Sequence, residues 1–163
     1  MKKLTLCAIS VSALFAVNAN AGDVQLVGFV APVCEVTGMN SQLVDFGMVD
    51  AGFQTINVPL GIQCNDADGA TVTLISAEGG LESDDQEDFA LTYDAVFTPS
   101  GLAALTLNAP GGPGLNDVSA SQSYGGSGTL ATGVPATLDV TTTETATFSG
   151  GYSDTLTIQI TQN

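Results

Sequence analysis

The sequence predicts an all-β protein with the character of a β-sandwich. Short runs of Val, Ile, Leu, Thr and Phe alternate with Gly, Pro, Asn and Asp along the chain. No window carries the apolar period of an amphipathic helix. The clearest strand, Thr155–Thr161, places Leu156, Ile158 and Ile160 on one face and Thr or Gln on the other.

The first 21 residues have the pattern of a secretory signal peptide. Lys2 and Lys3 form the basic start, residues 4–17 are apolar, and Ala19-Asn20-Ala21 supplies a small-x-small cleavage site. The apolar run is too short for a membrane anchor. We therefore expect an exported mature chain that starts near Gly22 and does not insert into a membrane.

The mature chain is strongly acidic and has no basic side chain. Its only Lys or Arg residues, Lys2 and Lys3, leave with the signal peptide, and the protein has no His. All 17 Asp and Glu residues lie after Gly22, so the side-chain charge of the mature chain is −17. Such a charge repels nucleic acid and anionic membrane surfaces. It also leaves no partner for a side-chain salt bridge.

The mature chain lacks the basic side chains that most often act in catalysis. Without His, Lys or Arg, only carboxylates, hydroxyls and three tyrosines remain. A carboxylate-pair hydrolase would use Asp84-Asp85 or Glu87-Asp88, but the chain has no Trp for the aromatic platform that commonly lines such clefts. We expect neither an enzyme nor a bound cofactor.

Two acidic stretches raise the question of calcium. Glu78–Asp88 and the turn at Asp66 and Asp68 offer carboxylate ligands, but neither has the residue spacing of an EF-hand loop. A solvated acidic loop is the favoured interpretation of Glu78–Asp88, and Ca²⁺ binding there stays an alternative.

Two cysteines remain after processing, Cys34 and Cys64. An even pair in an exported chain predicts one disulfide. A metal site is the weaker interpretation, because the chain has no His and no second cysteine pair.

The remaining elements follow the same alternation of apolar and polar residues. Pro59 indicates an edge or a bulge in its strand. Residues 108–128, rich in Gly, Ser, Pro and Ala, predict a long mobile loop. We expect strands over Asp23–Cys34, Leu43–Gly47, Phe53–Cys64, Ala70–Ala77, Phe89–Phe97, Gly101–Leu107, Val134–Val140, Thr143–Phe148 and Thr155–Thr161.

The first of these stretches, Asp23–Cys34, is apolar on both faces. It is either the first strand of its own sandwich or an arm that completes a neighbouring molecule. One face carries Val24, Leu26, Gly28 and Val30, and the other carries Val27, Phe29 and Ala31.

Four short motifs resemble one protein family. G-G-Y-S-D-T-L-T-I-Q-I-T (Gly150–Thr161) resembles the closing strand of spore-coat-protein-U-type domains, the subunits of archaic chaperone–usher pili. V-D-F-G (Val44–Gly47) is similar to the family's short strand between its two cysteines. Q-C-N-D-A-D-G-A-T-V-T-L (Gln63–Leu74) is similar to the segment around its second cysteine, and L-T-Y-D-A (Leu91–Ala95) to its central strand.

The resemblance implies an immunoglobulin-like β-sandwich that lacks its last strand. Residues 22–33 would be an N-terminal donor-strand arm and residues 34–163 the pilin domain. A periplasmic chaperone, and then the arm of the next subunit, would fill the gap by strand addition. In that case the donor residues are Val24, Leu26, Gly28 and Val30, and the acceptor groove is lined by Leu156, Ile158 and Ile160.

The expected function is that of a structural subunit of a Gram-negative surface pilus that supports adhesion and biofilm formation. Its partners would be a periplasmic chaperone, an outer-membrane usher and identical or related subunits. The protein would pass through the periplasm to the cell surface. The alternative is an autonomous, secreted, acidic β-sandwich that acts as a binding module, with or without Ca²⁺.

Overall fold

The computed structural model describes residues 25–38, 42–85 and 89–163. Within these ranges the chain forms eleven strands and one short helix, so the all-β prediction is confirmed. The elements are β1 Cys34–Thr37, β2 Thr55–Cys64, β3 Ala70–Ser76, β4 Leu81–Ser83, β5 Ala90–Leu91, β6 Tyr93–Pro99, β7 Leu105–Ala109, β8 Val118–Tyr124, α1 Gly128–Thr132, β9 Val134–Thr142, β10 Tyr152–Ser153 and β11 Leu156–Gln162.

The strands form three sheets, and every pairing in them is antiparallel. The largest sheet has the order β1-β2-β9-β6-β7. A second has the order β11-β3-β8, and a small third sheet has the order β10-β4-β5. Neighbours in these sheets are distant in sequence, as in β2 with β9 and β3 with β11, so the fold depends on long-range pairing.

One hydrophobic core joins the two larger sheets, an arrangement consistent with a β-sandwich. Ile62 from β2, Phe97 from β6 and Val72 and Leu74 from β3 are fully buried in it. Alternate residues of these strands face the core, as the two-residue period of a strand requires. The core is therefore built from the residues whose alternation is visible in the sequence.

The predicted disulfide between Cys34 and Cys64 is confirmed. The two cysteines are directly opposite each other in the β1–β2 ladder, at a sequence separation of 30. The bond therefore ties the four-residue strand β1 to the long strand β2.

Three strand predictions in the first and last thirds of the chain are wrong. Residues 25–33, the described part of Asp23–Cys34, form no strand, and the first strand begins at Cys34, where the predicted one ended. Neither 43–47 nor 143–148 is a strand. Alternation alone does not make a strand, because the backbone also needs a partner strand within the chain.

Two loop predictions are also wrong. Residues 118–124 form β8, which pairs with β3 over seven residues although its composition is Ser-rich. Within the acidic stretch, Leu81–Ser83 is β4, and Gly79, Gly80 and Leu81 are buried. Gly79 has a φ of +68°, and a side chain there would collide with the carbonyl oxygen of Leu115. This stretch is thus packed against residues 109–117, and the Gly79 carbonyl accepts from the amide of Gly111.

The prediction that Pro59 marks an edge agrees with the register of β2. Strand β1 ends at Thr37, opposite Gly61, and among the described residues β2 pairs at Pro59 only with β9. A proline has no amide hydrogen and fits where one side of the ladder is absent.

Residues 31–163 form one compact unit, and the described residues 25–30 belong to a separate one. The predicted signal peptide at residues 1–21, donor residue Val24, and Glu87 and Asp88 lie outside the described residues. No helix within the described ranges has the length and apolar character needed to cross a membrane.

The disulfide generates the first prediction. Replacing both Cys34 and Cys64 with Ser should lower the free energy of unfolding of a self-complemented chain, in which residues 23–31 follow Asn163 on a short flexible linker. The expected loss is about 3–4 kcal/mol, because the loop that the bond closes becomes unrestrained in the unfolded chain. Urea unfolding followed by circular dichroism measures this difference. Reduced wild-type protein is the control and should match the double variant. Equal midpoints for oxidised wild type and the double variant would contradict the prediction.

Candidate functional site

Strand β11 is paired along its whole length on one edge only. All seven of its residues are in register with β3, from Leu156 opposite Ser76 to Gln162 opposite Ala70. No described residue pairs with its other edge. The amide and carbonyl groups of that edge therefore take part in no ladder among the described residues.

The inner face of β11 is apolar and lies beside the end of the other large sheet. Leu156, Ile158 and Ile160 share the face of the buried β3 residues Leu74 and Val72 and pack against the core, but remain half-buried. Strand β1 is the end strand of its own sheet, and its Cα atoms come within 8 Å of those of β11. We call this region the β1–β11 seam. Its inward apolar residues are Cys34, Val36, Leu156, Ile158 and Ile160.

The opposite seam, between β7 and β8, is closed more completely along β7, although Val118 and Ala120 of β8 are half-buried like the inward residues of β11. The inward residues of β7, Leu105, Leu107 and Ala109, are all buried. Tyr124 of β8 is also buried, and its hydroxyl donates to the carbonyl of Ala103 at 3.0 Å. In the β1–β11 seam, by contrast, none of the five inward residues is fully buried. The apolar core is thus left partly uncovered on the β1–β11 side.

Asp154 fixes the start of β11. Its carboxylate accepts hydrogen bonds from the hydroxyls of Tyr93 at 2.6 Å and Ser76 at 2.5 Å, and from the amides of Glu78 at 3.0 Å and Thr155 at 2.6 Å. These donors come from β3, β6 and the segments that follow β3 and precede β11. Four neutral donors therefore take the place of the cation that this chain lacks.

Asn163 fixes the other end of β11. Its side-chain oxygen accepts from the Thr71 hydroxyl at 2.6 Å, and its amide nitrogen donates to the carbonyls of Asp68 and Tyr124 at 3.2 and 3.4 Å. Its backbone amide donates to the carbonyl of Gly69 at 3.2 Å. Strand β11 is thus held at both ends and along one edge, which keeps its unpaired edge straight and in place.

The predicted groove residues Leu156, Ile158 and Ile160 are brought together on one face of β11. The described donor residues lie outside any strand, and Leu26 and Val30 have 89% and 79% of their side chains exposed. On the opposite face of the same stretch, Val27 and Phe29 are 87% and 86% exposed. Residues 25–30 therefore present apolar side chains to solvent on both faces.

Desolvation raises the pKa of the Glu78 carboxyl, and the nearby carboxylates of Glu82, Asp154 and Asp117 add to this shift. Among the described residues, no three acidic or cysteine side chains are grouped so that they could hold a metal ion. Asp84 and Asp85, the proposed hydrolase pair, lie beside Gly151 and Gly150, and the amide of Asp84 donates to the carbonyl of Gly151 at 2.9 Å. These contacts attach the acidic stretch to the segment that leads into β11.

Sequence reasoning missed Asp154 and Asn163. Asp154 immediately precedes the clearest apolar alternation in the chain, and this position is the one feature of the sequence that could have identified it. Its hydrogen-bond donors, Ser76 and Tyr93, are 78 and 61 residues away, so no local pattern identifies them.

The Tyr93–Asp154 contact generates a prediction about alkaline pH. Burial, together with the hydrogen bond to Asp154, raises the pKa of Tyr93 above its ordinary value of 10.0. Because the folded state holds the phenol proton more tightly than the unfolded chain, this contribution to stability is complete below pH 10 and is lost as the pH rises beyond it. Tyr93→Phe should be less stable than wild type by about 1 kcal/mol at neutral pH. The difference should shrink or reverse at higher pH.

Urea midpoints of the self-complemented chain, which carries residues 23–31 behind Asn163, measure this effect between pH 7 and pH 12. The experiment is clean because the three tyrosines are the only side chains of residues 22–163 that titrate above neutral pH once both cysteines are bridged. Ser76→Ala, which removes a non-titrating donor to the same carboxylate, is the matched control. It should stay below wild type by a similar amount throughout. A constant gap for Tyr93→Phe would contradict the assignment.

Comparison with known proteins adds no family assignment to this geometry. No protein-family model matches the chain, and no curated protein matches it. The function must therefore be argued from the β1–β11 seam, the exposed apolar stretch before it in the sequence, and the charge of the chain.

Proposed function

We propose that this protein is a structural subunit of a Gram-negative surface pilus and is assembled through donor-strand complementation by the chaperone–usher pathway. The observation that carries the proposal is the β1–β11 seam, where an apolar strand is paired on one edge only. The subunit would be an immunoglobulin-like sandwich without its last strand, and a strand from outside the domain would complete it.

The seam has the two properties that strand addition requires. The open edge of β11 supplies main-chain donors and acceptors for a ladder, and the half-buried Leu156, Ile158 and Ile160 supply sites for alternate side chains of the incoming strand. Full burial of a Leu, Ile or Val side chain contributes about 1.5–3 kcal/mol. Covering the seam therefore stabilises both the core of the subunit and the joint.

The stretch before β1 has the complementary pattern. Leu26, Gly28 and Val30 fall on one face of an extended chain, together with Val24, which lies outside the described residues. The exposure of Leu26 and Val30 is costly in a single chain but is removed if this face enters the seam of a neighbour. A glycine on the same face admits a close approach of the two backbones.

The charge of the chain favours a joint made by strand addition over one made by salt bridges. Residues 22–163 contain no Lys, Arg or His, so two mature copies cannot form an intersubunit salt bridge between side chains. Their net charges repel each other, most strongly at low ionic strength. Strand β11 itself carries no charged residue. Main-chain hydrogen bonds and apolar burial are thus the interactions that remain to join identical subunits.

The proposed partners are those that the resemblance to spore-coat-protein-U-type domains implies. An uncovered apolar edge strand promotes aggregation, so the newly exported subunit needs a periplasmic chaperone that covers the seam. An outer-membrane usher and the next identical or related subunit would then replace it. The fibre would support adhesion and biofilm formation at the cell surface.

The prediction concerns the inserting face. Leu26→Asp should abolish polymerisation while the chaperone-bound subunit still accumulates in the periplasm. A carboxylate at residue 26 would be buried in the apolar seam of the neighbour with no cation to pair it, at a cost of several kcal/mol per joint. Val27→Asp is the matched control, because Val27 is equally exposed and one residue away but lies on the opposite face. That variant should still polymerise.

Moving residues 23–31 behind Asn163 on a short flexible linker should produce a stable, soluble monomer, because the arm then reaches its own seam at high effective concentration. Size-exclusion chromatography and electron microscopy distinguish the polymers from the monomers. Purification of the mature chain expressed alone is the decisive test. A monodisperse monomer with a cooperative melting transition and its native N-terminus would overturn the proposal in favour of an autonomous sandwich.

A further inference from the structure

One residue, Asn65, holds the start of the compact unit, residues 31–33, against the end of β2. Its side-chain oxygen accepts from the amide of Val33 at 2.8 Å, and its side-chain nitrogen donates to the carbonyl of Ala31 at 2.8 Å. Its backbone amide donates to the carbonyl of Val33 at 2.9 Å. Asn65 lies immediately after β2, next to the disulfide at Cys64.

These three bonds make residues 31–33 part of the body. They extend the β1–β2 pairing beyond the Cys34–Cys64 bridge, although neither 31–33 nor Asn65 is itself in a strand. Pro32 adds stiffness, because its ring fixes its own φ and restricts Ala31 to extended conformations. Since Pro32 has no amide hydrogen, Asn65 needs to bind only the polar groups of Ala31 and Val33.

The held segment limits the length of chain that is left to act as an arm. If the mature chain starts at Gly22, residues 22–30 precede the held segment, nine residues that span about 30 Å when extended. The open edge of β11 is seven residues long, or about 23 Å. The donor face, Val24–Val30, uses seven of the nine residues, so the two left over lie at the N-terminal end and none separates the inserted strand from residues 31–33.

We infer that Asn65 is a positioning residue of the joint between subunits. It holds residues 31–33 to the donor's body, so that the strand inserted in one subunit continues almost directly into the body of the next. The inference rests on the proposed function and adds that the joint has almost no free linker. Successive subunits are thereby held at a restricted angle, and the fibre is stiff along its axis.

The test uses fibres produced by cells that carry the intact assembly machinery and either wild-type protein or Asn65→Ala. Electron microscopy measures the distribution of angles between successive subunits and the persistence length. Asn65→Ala frees residues 31–33, so its fibres should show a broader angular distribution and a loss of persistence length. Asn65→Asp keeps the acceptor for Val33 but loses the donor to Ala31, and its fibres should be intermediate.

Asn108→Ala is the matched control. It also removes an asparagine side-chain hydrogen bond, the 2.6 Å bond to Asp94, but on β7 at the far edge of the same sheet. It should lower the melting temperature of the subunit without changing the flexibility of the fibre. A role of Asn65 in subunit stability alone predicts the same behaviour for Asn65→Ala, so the two roles are separated.

A second variant covers the case in which Asn65→Ala fails to fold. Inserting Gly-Ser-Gly-Ser between Val30 and Ala31 keeps every Asn65 bond and adds a flexible spacer of about 11 Å. Its fibres should also be more flexible than those of wild type. Wild-type, Asn65→Ala and insertion fibres of equal flexibility would overturn the inference and leave the proposed function standing. Absence of wild-type fibres would overturn both.

Discussion

The structure depends on the one-sided pairing of β11. Its ladder with β3 carries Leu156, Ile158 and Ile160 to the rim of the core, while Asp154 and Asn163 hold its two ends. Because the strand is held at both ends and along one edge, its other edge keeps the extended geometry with which a further strand can pair. The same arrangement leaves the core partly uncovered beside β1. The stability of the fold and any pairing with a further strand therefore both depend on how the β1–β11 seam is covered.

Residues 22–163 contain no Lys, Arg or His, and this absence affects the rest of the molecule. Several carboxylates accept hydrogen bonds from neutral donors, as in the bonds of Asn57 to Asp139, Asn108 to Asp94 and the amide of Thr92 to Glu144. Such bonds hold the folded chain together without salt bridges. They also leave the net negative charge intact on every subunit. Under the proposed function, association between copies relies on apolar burial and main-chain pairing at the seam and at residues 25–30.

Strands were predicted correctly where their own residues alternate between apolar and polar. The prediction failed where a strand depends on pairing with its partner. Strands β2, β3, β9 and β11 alternate clearly, and their positions were predicted to within about two residues. Strand β8 was missed because Ser119, Ser121 and Ser123 have little strand preference, and only pairing with β3 makes it a strand. Residues 43–47 show the opposite error, since alternation there predicted a strand that has no partner ladder.

The sequence by itself determined the all-β class, the acidic character, the disulfide partners and the face of β11 that is apolar. Each of these follows from residue type and a two-residue period, which are local properties. Only the tertiary structure decided that this face lies at an incompletely covered seam, that Asp154 gathers four donors and that Asn65 holds residues 31–33. Asn65 is 32 residues from Val33, and Asp154 is 78 residues from Ser76. Such separations become short distances only when the sheets pair.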